Sequence, residues 1–358
     1  MATSTLSQLS IAPLGAGDLI DRAVRLYRQH FFVLIRIAAP PVIVAAVGSV
    51  LVSIRTIQMI ATTSSLSLAL AILLLLAGVG LLIVGYLFSL IVMGGATRNL
   101  VTHLLWNEPV SAWATYAAVK SRFWGLLGAA FLVMIWVSIS SSVAFVAWYV
   151  VSLSFGFVAV ALALVVPVWL LVTVGVILLV ATGALAFWFF FFLFGRVVYV
   201  PQAMMVEGKG VFEAVGRSFS LAKGNVRRLM AMFVFTFFVF YSALAILIVP
   251  LSLYGWLSGV DLSPLNQAEW PAWYSIGYGV ITESSHILLA PIWMLGLSLL
   301  YVDERVRHEG YDIELMAARQ LPEMPKLDVA SPLAPALALG HSKAPPPPMP
   351  SGSVLGLY

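Results

Sequence analysis

Residues 123–195 read FWGLLGAAFLVMIWVSISSSVAFVAWYVVSLSFGFVAVALALVVPVWLLVTVGVILLVATGALAFWFFFFLFG, with no charge in 73 positions. As one helix this stretch would be about 110 Å long. A hydrocarbon core of about 30 Å needs only some 20 apolar residues to span it. The stretch must therefore cross, turn and return. Lys120 and Arg122 precede it and Arg196 follows it. With both flanks basic, an even number of crossings satisfies the tendency of Lys and Arg to stay on the inner side. Two crossings fit, with the turn near Ser152, Ser154 and Gly156.

Working outward, the same criterion finds four further spans, at about 31–54, 66–93, 229–254 and 274–302; the central pair occupies 123–150 and 168–194. The expectation is an all-α, polytopic integral membrane protein. It has a six-helix membrane domain over 17–320, a flexible N-terminus over 1–16 and a tail over 321–358. Composition agrees: of 358 residues 61% are hydrophobic and 9% charged, where soluble domains carry about 25% charge. This excludes a soluble globular domain, a disordered chain and a nucleic-acid binder, and the net charge of +4 is a topology signal instead. With no cysteine there is no disulfide framework and no thiolate chemistry. Residues 1–17 lack a basic segment followed by an apolar core, so no cleavable signal is expected.

Charge placement sets the expected orientation. With both termini in the cytoplasm, 17 of the 19 lysines and arginines fall on the inner side. The last outer loop is acidic (Asp261, Glu269) and carries Trp256, Trp270 and Trp273 as interface anchors. Beyond residue 321 the chain holds nine of its 19 prolines, including the run 345–348. Such a segment tends to polyproline II or disorder and can offer a ligand to a proline-reading partner.

Two inner segments read as amphipathic surface helices. From Asp18, the expected N-cap, Leu19, Ile20, Ala23, Val24, Leu26, Tyr27 and Phe31 share one face. From Val211 to Ala222 the expected stripe is Val211, Phe212, Val215, Phe219 and Ala222; Glu213 and Arg217 are spaced for an ion pair, and Gly224 closes the helix. Residues 109–122 look similar, and Pro109 and Gly210 lie 101 positions apart. This gives a weak two-half pattern of span, surface helix, span.

Three stretches carry a resemblance. They are 17–28 (GDLIDRAVRLYR), 200–224 around VEGKGVFEAVGRSF at 206–219, and 300–315 (LYVDERVRHEGYDIEL). Together they resemble the bacterial membrane-protein family named for the membrane domain of glycerophosphoryl diester phosphodiesterase, over residues 13–318. Val302 departs from the tyrosine expected there. The resemblance implies a six-helix domain of the bacterial inner membrane and no phosphodiesterase activity, which belongs to a separate soluble barrel. The His-Arg pair of that barrel is missing: the five histidines are followed by Phe31, Leu104, Ile287, Glu309 and Ser342.

The candidate residues form three groups. Glu283 and His286, one turn apart in the last span, are an intramembrane polar pair suited to a proton relay, or to an interfacial position if the span begins late. Arg36, Lys120, Arg122, Lys223, Arg227 and Arg228 are expected contacts for anionic headgroups. Asp303, Arg305, Arg307, Glu309 and Asp312 form a charged cluster that either binds a partner or a metal or pairs with itself on a solvated helix. Gly78, Gly85, Gly125 and Gly128 are expected at close helix crossings. No nucleophile, base and metal ligands assemble, and no cofactor is expected. The leading functional expectation is a non-enzymatic membrane subunit or scaffold that contacts anionic lipid and a protein partner. The alternative is a transporter or lipid-handling protein for a small solute or lipid.

Overall fold

A computed structural model describes residues 15–59, 65–106, 108–263 and 270–309. The early N-terminus, the proline-rich tail, Glu269, Asp312 and Glu314 lie outside them. The described residues form ten α-helices and no strand. These are α1 (Ala16–Gln29), α2 (Phe31–Met59), α3 (Ser65–Trp106), α4 (Ala112–Ser121), α5 (Phe123–Leu162), α6 (Val168–Phe194), α7 (Val200–Val206), α8 (Val211–Leu221), α9 (Val226–Leu257) and α10 (Ala272–Glu309). Six of them, α2, α3, α5, α6, α9 and α10, are long and apolar enough to cross a membrane. The chain is a polytopic α-helical membrane protein.

The turn in the long uncharged run falls at residues 163–167, not at Ser152–Gly156. The Ser152 and Ser154 hydroxyls donate to the carbonyls four residues back, Trp148 (2.8 Å) and Val150 (2.8 Å), and so sit inside α5 without breaking it. Pro167 ends the turn and stands at the N-cap of α6, where its missing N–H costs nothing.

The surface helices start at glycines. The α1 N-cap is Gly15, and Asp18 accepts the Gly15 N–H at 3.1 Å from the third helical position. In α8 the N-cap is Gly210, and Glu213 accepts its N–H at 3.4 Å, so Glu213 caps the helix instead of pairing with Arg217. Gly224, at φ 82°, follows α8 in the left-handed region. The buried faces are Leu19, Ala23 and Leu26 in α1, and Ala214, Ser218 and Leu221 in α8. The α8 face is thus rotated from the expected stripe, and Phe212 points outward at 85% exposure. The preceding short helix α7 has all seven of its residues buried.

Close crossings hold the bundle. A Cβ on Gly48 of α2 would lie 2.7 Å from the Gly78 carbonyl oxygen and the Leu82 nitrogen of α3, and one on Gly85 would lie 2.6 Å from the Ala45 nitrogen. Gly94 admits the Pro201 carbonyl of α7 in the same way, at 2.7 Å. Gly78 and Gly85 therefore pack as expected. Gly125 meets only the end of Met204 at 3.3 Å, and Gly128 has nothing within 4 Å of an added Cβ. The core runs along α10 and its neighbours, and the Thr97 and Ser298 hydroxyls share a buried hydrogen bond of 2.7 Å across α3 and α10.

Candidate functional site

Two polar assemblies stand out, one at the charged end of the bundle and one inside it. At the charged end, Glu207 closes α7 with a side chain out of solvent. Arg217 of α8 donates to both its oxygens, at 2.9 and 2.8 Å. The Tyr301 hydroxyl of α10 donates at 2.8 Å, Arg305 approaches to 3.6 Å and Lys209 to 3.3 Å. Glu309 completes the ring by pairing with Arg217 and with Arg305 at 3.1 Å. Beside it Arg228 of α9 pairs with Asp303 and Glu304, and Arg307 bonds Asp303 at 2.8 Å. Burial alone would push the Glu207 carboxyl up. The Arg305 and Arg217 guanidiniums and the Tyr301 hydroxyl outweigh it, so Glu207 is held below the usual carboxylate range. Arg217 is raised: the pull of Glu207 and Glu309 exceeds its own desolvation.

This geometry answers the third candidate group. Asp303 and Arg305 are buried, and they pair within the chain together with Arg307 and Glu309. Self-pairing is thus seen for four of the five residues, of which Arg307 stays exposed and Glu309 partly so, while Asp312 lies outside the described residues. The cluster ties the α7–α8 and α9 ends to α10. Of the expected headgroup contacts, Arg36, Lys120, Arg122, Lys223 and Arg227 are exposed, and Arg122 also donates to the Met204 carbonyl at 3.3 Å. Arg228 is different, because Asp303 and Glu304 engage its guanidinium.

Inside the bundle lies a cavity of about 720 Å³, walled by α2, α3, α5, α9 and α10 with Phe194 at the end of α6. Glu283 and His286 both line it. Ser49 of α2 donates its hydroxyl to Glu283, and the His286 ring packs on Phe240 of α9 at 4.4 Å between centroids. Along α10, Glu283 is ten residues from Trp273, about 15 Å, and His286 is about 20 Å from it, so both are well inside the helix. The rest of the wall is mostly aliphatic and aromatic, with Ser89, Thr236, Tyr86 and Tyr241 as further hydroxyls. Tyr86 and Tyr241 are 62% and 50% exposed, so the cavity opens to the surface beside them.

The sequence pattern carries the pair Glu283 and His286 but not Ser49, Glu207 or Tyr301. Ser49 sits in an ordinary apolar run, and Glu207 and Tyr301 fall inside two of the stretches that carry the family resemblance without being singled out there. Their significance comes from residues 234 and 94 positions away. No cluster of three or more histidines and carboxylates suited to a metal occurs among the described residues. No family model matches the chain, and no curated protein and no solved structure is significantly similar to it.

Proposed function

We propose that the protein binds an amphiphilic or lipid-like molecule inside its membrane domain, as a lipid-handling protein or transporter and not as an enzyme. One observation carries this reading: the 720 Å³ cavity, apolar over most of its wall and polar at Ser49, Glu283 and His286. Ligand sites are typically concave and apolar, of about 300–1,000 Å³, with a few oriented polar groups. An ionisable side chain inside a membrane is costly, and function is the usual reason it is kept.

The distribution of basic residues supports a cytoplasmic charged end in a bacterial inner membrane. There the exposed Arg36, Lys120, Arg122, Lys223 and Arg227 would meet anionic headgroups. The three motifs that resemble the phosphodiesterase membrane-domain family support the same placement. The scaffold reading now rests on the tail and Asp312, since four of its five contact residues pair inside the chain.

The test is native mass spectrometry of the full chain extracted in mild detergent. Wild type should carry a stoichiometric bound amphiphile. Ala46→Trp, which fills the cavity wall, should lose it, and Val180→Trp on the outer face of α6 should keep it. Equal retention in the two variants would sink the proposal.

A further inference from the structure

The proposed cavity can be assigned a charge preference. Its wall includes one carboxylate, Glu283, and no lysine or arginine. The partner seen for Glu283 is a hydroxyl, which satisfies part of the carboxylate's hydrogen-bonding capacity and none of its charge. Aromatic rings crowd the same chamber. Phe240 lies against His286, one turn from Glu283, and Phe237 and Tyr241 pack at a tilt with 4.3 Å between centroids. Phe233 meets the edge of Trp293 at 6.0 Å. Ring faces attract cations and repel anions, most strongly where water is excluded. A phosphate or carboxylate headgroup would meet the Glu283 carboxylate and no lysine or arginine, the His286 imidazole being the one basic side chain of the wall.

We infer that the cavity takes a lipophilic cation, a hydrophobic amine or quaternary onium whose charge lies beside Glu283 and whose apolar groups fill the aromatic chamber. This rests on the binding reading above and narrows it to one chemical class. The mouth beside Tyr86 and Tyr241 lies along the apolar spans, and a lipophilic cation partitioned into the bilayer reaches it sideways.

The experiment uses two ions of nearly the same shape and opposite charge, tetraphenylphosphonium and tetraphenylborate. Each is titrated by equilibrium dialysis against the full chain in lipid nanodiscs, with empty nanodiscs subtracted. Tetraphenylphosphonium should bind about tenfold or more tightly than tetraphenylborate. Glu283→Gln should remove most of that preference, Glu283→Asp should keep it, and Phe240→Leu should weaken it severalfold with an unchanged elution profile. Equal affinity for the two ions, or tighter binding of the borate, overturns the charge assignment and leaves the binding reading standing. Absence of protein-dependent binding of either ion, with the native amphiphile equally retained in Ala46→Trp, overturns both. A phosphonium preference that survives Glu283→Gln overturns the role of Glu283 and therefore the inference.

Discussion

In α10, 67% of the most apolar stretch is buried inside the protein; in α5 the share is 6% and in α6 none. Yet α10 is the least apolar of the six spans. In a soluble protein this order would be reversed. In a bilayer, lipid tails are as apolar as leucine, and hydrophobicity does not choose which helix goes inside. Small residues and polar partners choose instead. Gly296 of α10 lies hard against Met232, Ser298 bonds Thr97, and Asp303, Glu304 and Arg305 are all buried. By contrast α6 turns Val176, Ile177, Leu179 and Val180 outward, each at least 46% exposed.

The largest test of this contrast is to break the polar end of α10. Arg305→Met removes a buried cation from Glu207 and Glu309 and should destabilise the fold by about 3–5 kcal/mol. Thermal melts of the detergent-solubilised chain would show it. A shift no larger than that of an α6 surface variant would mean the network does not hold α10 in place.

Next comes Val180→Lys, near the middle of α6. At an exposed position of a soluble protein it would be nearly neutral. Here it should cost about 2.5–3.5 kcal/mol of insertion free energy, read as a lower inserted fraction in a glycosylation-mapping assay. Full insertion would place that face against something other than lipid.

The glycines sharpen the comparison at smaller scale. Gly48→Ala drives a methyl into the α3 backbone and should cost about 1–3 kcal/mol. Gly128→Ala, on the open face of α5, should be neutral or slightly stabilising. Paired unfolding titrations decide between them, and equal effects would remove the crossing from the argument.

The smallest expected effect is one of pH. Glu207 is held below its ordinary value of 4.5 in the fold. Its contribution to stability is therefore complete above that value and is lost as pH falls through the lower, folded value. Melting temperatures measured from about pH 7 down to pH 3 should drop at the acid end. Glu207→Gln should start lower at neutral pH and lose less of its stability on acidification. An identical acid slope in both would assign the loss to other carboxylates.

The uncharged run at 123–195 was enough to read the class of fold, because helix length and bilayer thickness leave few alternatives. The number of spans, the surface helix at 16–29 and the polar pair on α10 were legible for the same reason: each is a local pattern at fixed spacing. The turn after α5 was not, because serine looks like a loop residue until its hydroxyl bonds the preceding turn, as Ser152 and Ser154 do. Nor was the capping by Asp18 and Glu213, where a glycine three residues earlier starts the helix.

The sequence alone set what crosses the membrane and which end is charged, since these depend on transfer of side chains between water and hydrocarbon one segment at a time. Only the tertiary structure decided the remaining placements. It buried α7, turned Arg217 from Glu213 to Glu207, drew Arg228 to Asp303 and set Ser49 against Glu283. Each of these choices requires two groups distant in the chain to find each other where water is scarce. There an unpaired charge is costly, and a partner within about 3 Å outweighs any preference written locally.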